Sequence, residues 1–79
     1  MKQVTLFHAR DCSLCERARA QLLRVREQIP FDLDEVDITG VPELESSYRE
    51  WLPVVEIDGA RAFVYYVDER RLLHKLGAS

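Results

Sequence analysis

Apolar positions along this chain change their period several times, and each change marks an element. Gln3 to Phe7 is rich in Val, Thr, Leu and Phe and is short enough to be one largely buried strand. From Ser13 the apolar residues Cys15, Ala18, Leu22, Val25 and Ile29 recur at three-and-four spacing, with Arg17, Gln21, Arg24 and Gln28 between them. That period is an amphipathic helix. Ser13 and Glu16 stand at capping-box spacing, which places its start near Cys12, and Pro30 prevents it from running on. Phe31 to Asp37 reads as a second strand whose mixed pattern turns apolar at Val36 and Ile38. Gly40 and Pro42 break the chain, and Glu43 to Trp51 then predicts a short helix with Leu44, Tyr48 and Trp51 toward one side. Val54, Val55 and Ile57 precede Asp58-Gly59, and Ala62 to Tyr65 follow it, which is the pattern of a tight hairpin. Asp68 begins a last helix carrying Leu72, Leu73 and Leu76, closed by Gly77.

The predicted order is βαβαββα. A right-handed crossover through the first helix makes the first two strands parallel, and the hairpin adds antiparallel ones. The expectation is an α/β fold, a four-stranded mixed sheet flanked by three helices. With 79 residues and no linker, repeat or low-complexity tract, the chain is expected to form a single domain over 1–79.

Charge narrows the function. A net charge of -3 and a pI near 5.3 leave no basic stripe of the kind that binds DNA or RNA, so nucleic acid is not an expected partner. No apolar run approaches membrane-spanning length, and Met1 to Phe7 lacks the pattern of a secretory signal. A cytoplasmic setting away from the membrane follows as the expectation. Thiols there are mostly kept reduced, so two close cysteines are more readily catalytic or metal-binding than a structural staple.

Those two are Cys12 and Cys15, in the run Cys12-Ser13-Leu14-Cys15 after the first strand and at the start of the first helix. At this spacing the sulfurs can reach bonding distance while only the first faces solvent. Cys12 would then attack and Cys15 resolve. The helix N-terminus lowers a thiol pKa, Arg10 favours the thiolate, and Asp11 opposes it. Two plainer readings stand beside this one: an inert buried pair, and half of a zinc site completed by His8 and His74. The second lacks the further paired ligands that structural zinc takes, and no metal is expected. His8 reads as a packing residue at a strand end, His74 as a solvated one, and Arg17, Arg19, Arg24 and Arg26 as a wet helix face. Tyr48 reads as core, whereas Trp51 fits either the core or a place beside the sulfurs.

With these residues in view, the chain resembles the glutaredoxin-like members of the thioredoxin-like superfamily over nearly its whole length. Cys12-Ser13-Leu14-Cys15, Leu52-Pro53-Val54 and Asp58-Gly59 carry the resemblance, and Glu45-Ser46-Ser47-Tyr48 ahead of Pro53-Val54 is similar to a small bacterial glutaredoxin-like family. The resemblance implies a thioredoxin-like fold and a cis Leu52-Pro53 bond beside the cysteines, with the Leu52 backbone free to meet an extended thiol substrate. Candidate substrate contacts are therefore Arg10, Ser13, Leu14, Leu52, Pro53 and Asp68.

Departures from the family pattern bear on the ligand. Where glutaredoxins carry Gly-Gly-x-Asp before the last helix, this chain has Tyr65-Tyr66-Val67-Asp68, and two tyrosines do not admit a tripeptide as two glycines do. Asp68 could cap the helix or accept an amine. No organic cofactor is expected, and glutathione stays only as a candidate reductant. The expected function is reduction of disulfides in proteins or small molecules by electron transfer from the cysteine pair, in a monomer. The alternative is a thioredoxin-like binding module, or a metal-holding or redox-sensing protein, without catalysis.

Overall fold

The structure, a computed structural model, describes residues 1–77. Ala78 and Ser79, which the domain expected over 1–79 includes, lie outside the described residues. Strand β1 (Gln3–His8) leads to helix α1 (Ser13–Arg26), strand β2 (Asp32–Asp37) and helix α2 (Pro42–Tyr48). One 3-10 turn (Arg49–Trp51) then precedes strands β3 (Val54–Ile57) and β4 (Ala60–Val64) and helix α3 (Glu69–Lys75). The sheet order is β2-β1-β3-β4, with β1 parallel to β2 and antiparallel to β3, and β3 antiparallel to β4. This is the four-stranded mixed sheet with three helices that the order of elements predicts.

Side-chain alternation along the two central strands builds a core on each face. Val4 and Leu6 of β1 and Val55 of β3 point to one face, where Ala18, Leu22 and Val25 of α1 and Leu72 of α3 close over them together with Phe31 and Phe63. Phe7 and Val54 point to the other, where they meet Ile38, Leu44 and Tyr48. Leu22, Val25, Val4, Val54 and Val55 are wholly buried. Each such side chain contributes about 1.5–3 kcal/mol of apolar burial.

Several boundaries differ from the sequence expectation. Helix α1 stops at Arg26 rather than running to Ile29, because Glu27 and Gln28 donate to the carbonyls of Arg24 and Val25 in tightened turns and the Arg26 guanidinium donates to the carbonyl of Phe31 at 3.0 Å. Ile29 still packs against the core from that turn. Helix α2 begins at Pro42, whose missing N–H costs nothing at a first helical position, and gives way to the 3-10 turn after Tyr48. Leu52 leaves helical geometry at φ -66 and ψ 143, as the residue before a proline tends to.

Asp58 and Gly59 both have positive φ, 51 and 83, so the hairpin closes directly and β4 starts at Ala60 rather than Ala62. A register shift beside Glu56 absorbs the extra residue. Asp58 also ties the hairpin to the amino-terminal strand: its carboxylate accepts from the Gln3 N–H at 2.9 Å, and its own N–H donates to the Gln3 carbonyl at 2.8 Å.

The helix arginines do more than face water. Arg19 pairs with Glu35 at 2.6 Å, and Arg24 pairs with Glu69 at 2.8 Å, clamping α1 to β2 and to α3. Among the described residues no helix is long and apolar enough to cross a membrane.

Candidate active site

Strand β1 ends beside β2, and the loop Ala9–Asp11 hands the chain from the centre of the sheet to α1. Three hydrogen bonds hold this loop. The His8 carbonyl accepts from the Ile38 N–H at 2.9 Å, and the Arg10 N–H donates to the Thr39 hydroxyl at 3.0 Å. Thr39 is held in turn by its own N–H, which donates to the Asp37 carboxylate at 2.9 Å. The main-chain N–H and hydroxyl of Thr39, followed by the charges of His8 and Arg10, keep the Asp37 carboxyl below its ordinary pKa. Asp11 takes the left-handed conformation at φ 59, one that aspartate tolerates better than most residues, and turns the chain into the helix.

Cys12 is the N-cap of α1. Its sulfur accepts from the Cys15 N–H at 3.2 Å and its carbonyl accepts from the Glu16 N–H at 3.2 Å. The capping-box reading put the start in the right place with the wrong residue, since Ser13 is already helical and the capping atom is sulfur. The consequence is electrostatic. A thiolate on Cys12 would receive the N–H of Cys15 and the positive end of a 14-residue helix, both of which favour the ionised form.

Cys12 and Cys15 are joined by a disulfide with their Cα atoms 5.2 Å apart. Cys12 is half-buried, whereas Cys15 is only 3% exposed. A reagent from solvent therefore meets Cys12 first.

An open cleft of about 590 Å³ lies over Cys12. Arg10, Ser13, Leu14 and Leu52 all line it, so most of the sequence candidates come together there. The Leu52-Pro53 bond is cis, as the resemblance implies. Pro53, also an expected contact, is buried and not among the lining residues, and its carbonyl accepts from the Tyr65 N–H at 2.9 Å. Asp68 is not among the lining residues. It caps α3 by accepting from the Arg71 N–H at 3.2 Å, the first of its two expected roles.

Two lining residues escaped the sequence reading. Thr39 lies in a loop with no pattern to single it out. Arg49 sits on the 3-10 turn, where its guanidinium pairs with Glu45, and Glu45 also accepts from the Gly40 N–H at 3.1 Å. Only the packing of α2 against the sheet brings Arg49 to the cleft that Cys12 lines.

The remaining candidates are placed as follows. Tyr48 is half-buried and stacks on Phe7 with ring centroids 4.0 Å apart, its hydroxyl donating to Glu56 at 3.1 Å. Burial, followed by the nearby Glu56 carboxylate, raises its pKa. Trp51 is not core: it is 43% exposed and tilts toward Tyr65 at 6.2 Å. His8 is half-buried at the end of β1, and His74 is exposed on α3 beside Arg70, Arg71 and Lys75. Among the described residues no cluster of three or more His, Cys, Asp or Glu side chains is placed to hold a metal ion.

The family model described as "Glutaredoxin-like domain (DUF836)" matches residues 3–77. Uncharacterized proteins of Mycobacterium tuberculosis and Mycobacterium bovis are each 35% identical over 75 residues, covering 89% of this chain and 77% of theirs. The X-ray structure of a protein from X. campestris superimposes with a TM-score of 0.78 at 30% identity, covering 96% of this chain and 97% of that one. The solution structure of a Nitrosomonas europaea protein gives 0.82 at 22% identity, covering 96% and 92%. A thioredoxin from Halobacterium salinarum gives 0.69 at 20% identity, covering 95% and 71%. The fold is thioredoxin-like, and the chain belongs to the glutaredoxin-like family.

Proposed function

We propose that this member of the glutaredoxin-like family is a thiol-disulfide oxidoreductase of the cytoplasm, acting as a monomer on disulfides of proteins or small molecules. The observation that carries the reading is the asymmetry of the sulfur pair, with a reachable Cys12 at the helix N-cap above a buried Cys15. In the dithiol state the Cys12 thiolate attacks the substrate disulfide. One S–S bond forms as another breaks, leaving a mixed disulfide and one free substrate thiol. Cys15, deprotonated, then attacks the Cys12 sulfur and releases the second substrate thiol. The two electrons lost by the cysteine pair are those gained by the substrate, and the Cys12–Cys15 disulfide is the product. An external thiol, glutathione or a protein dithiol, returns the two electrons. No organic cofactor is required, because both electrons reside on sulfur. In this reading Leu52, extended and two residues ahead of the β3 ladder, meets an extended substrate.

The test is thiol trapping with single-cysteine variants. Cys12→Ser should abolish disulfide reduction, and Cys15→Ser should accumulate the mixed disulfide on Cys12, read by intact mass. Turnover retained in the Cys12→Ser protein would sink the assignment.

A further inference from the structure

The outer side of α3 exposes Arg70, Arg71, His74 and Lys75, and these four side chains line a second surface groove of about 350 Å³. None of them lines the cleft over Cys12. The opposite side of the helix is anchored, with Leu72 and Leu76 buried in the core, Asp68 capping the start and Glu69 bonded to Arg24 of α1. A fixed backbone thus presents the cations to solvent.

This arrangement works against the helix that carries it. Glu69 is the first helical residue, so Arg70 and Arg71 stand in the first turn, where unpaired N–H groups disfavour a cation. Arg71 and Lys75 are four residues apart and share a face, a spacing at which like charges repel. Carboxylates do not compensate. Ion pairs engage Lys2, Arg19, Arg24 and Arg49, whereas among the described residues none includes a side chain of this patch. Of the adjacent acids, Glu69 accepts from Arg24 and Gln21 of α1, and Asp68 accepts from the main-chain N–H of Arg71 rather than from a guanidinium. A cation cluster kept against both effects, in a chain of net charge -3, suits a surface that meets an anionic partner.

Spacing decides the kind of partner. Arg70 and Arg71 lie one turn from His74 and Lys75, about 6 Å along the axis. In an extended chain alternate side chains point the same way and repeat at about 6.6–6.8 Å, so carboxylates two residues apart match the two rows. A single phosphate reaches one row only and finds no buried donor to hold it. The net charge, together with Asp32, Asp34 and Asp37 exposed along the edge strand β2, opposes a nucleic-acid backbone. We propose that the outer side of α3 docks an extended acidic segment of a partner polypeptide, with carboxylates at alternate positions. The surface is separate from the cysteine cleft, and the inference stands whether or not the exchange reading does.

The test titrates the full chain, labelled for amide NMR, with a short peptide alternating Glu and Ser, and in parallel with its Lys-Ser counterpart, inorganic phosphate and a single-stranded RNA oligomer. The Glu-Ser peptide should shift the amides of α3 and leave those of Cys12 and Cys15 in place. Binding should weaken several-fold when salt is raised from about 20 to about 200 mM. Arg71→Gln combined with Lys75→Gln should weaken it by about fivefold or more. Arg17→Gln, on the exposed side of α1, should leave it unchanged. The double variant should melt no lower than the wild type, because it relieves a like-charge pair. A lower midpoint would show that the cluster serves the helix itself and would overturn the proposal. So would an undisturbed α3, equal binding by the double variant, equal binding of the Lys-Ser peptide or of phosphate, or tighter binding of the RNA.

Discussion

The main-chain N–H of Arg10 donates to the hydroxyl of Thr39 at 3.0 Å, tying the loop before Cys12 to the end of β2 across 29 residues of sequence. Thr39 also bonds the Asp37 carboxylate through its N–H, so one small residue joins the cysteine loop to the sheet edge.

Thr39→Val keeps the shape and removes the hydroxyl. The loss should be about 0.5–1.5 kcal/mol in urea unfolding. With the hydroxyl beside it gone, the Asp37 carboxyl should titrate closer to its ordinary value of 3.8, which carbon-detected NMR would follow. Alkylation of Cys12 in the reduced protein should change rate, while Cys15 stays protected by its burial.

Acid should destabilise the fold through three carboxylates. Asp37 is held below its ordinary 3.8 chiefly by Thr39, Asp58 below 3.8 chiefly by the Gln3 N–H, and Glu69 below 4.5 chiefly by Arg24. Each folded pKa is depressed, so the folded state binds fewer protons than the unfolded one. Their contribution is present above the ordinary values and is lost as pH falls through the depressed ones. The urea midpoint should hold from neutrality to about pH 5 and decline below about pH 4. Glu69→Gln should flatten part of that decline, and an unchanged profile in this variant would refute the assignment.

Leu22→Ala opens a cavity at the centre of the α1 face, where Leu22 is wholly buried. A loss of about 2–5 kcal/mol is expected. That is a large part of the roughly 5–15 kcal/mol typical of folded domains, so the variant should show a much lower thermal midpoint. Arg17→Ala, on the exposed side of the same helix, should stay within about 0.5 kcal/mol.

Asp58 serves the hairpin through both its backbone and its carboxylate. Asp58→Ala must keep φ 51 with a less tolerant side chain and forgoes the bond to Gln3, for a combined cost of about 1–3 kcal/mol. Asp58→Asn retains both the acceptor and the tolerance of left-handed geometry, and should lose less than half as much. Equal losses in chemical denaturation would show that the carboxylate charge, paired with Lys2 at 3.6 Å, matters more than the turn.

Local periodicity was enough to reveal the elements, because each is a contiguous run whose burial repeats at its own period. Cys15, Ala18, Leu22 and Val25 are buried as their three-and-four spacing requires, and Asp58-Gly59 turns where that dipeptide turns. The cysteine pair was equally legible, since both cysteines belong to one helical turn. What surrounds them was not. Arg49 and Thr39 reach the cleft, and Asp68 does not, because three-dimensional proximity here is set by the order β2-β1-β3-β4 and by α2 lying across one face. The sequence indicated Tyr65 only as an obstacle where glycine is common. Its fixed place beside Trp51 depends on hydrogen bonds to Pro53 and Glu50, 12 and 15 residues away, which no local pattern encodes. Local sequence thus determined the elements and the cysteine pair, and tertiary packing decided which side chains lie around that pair.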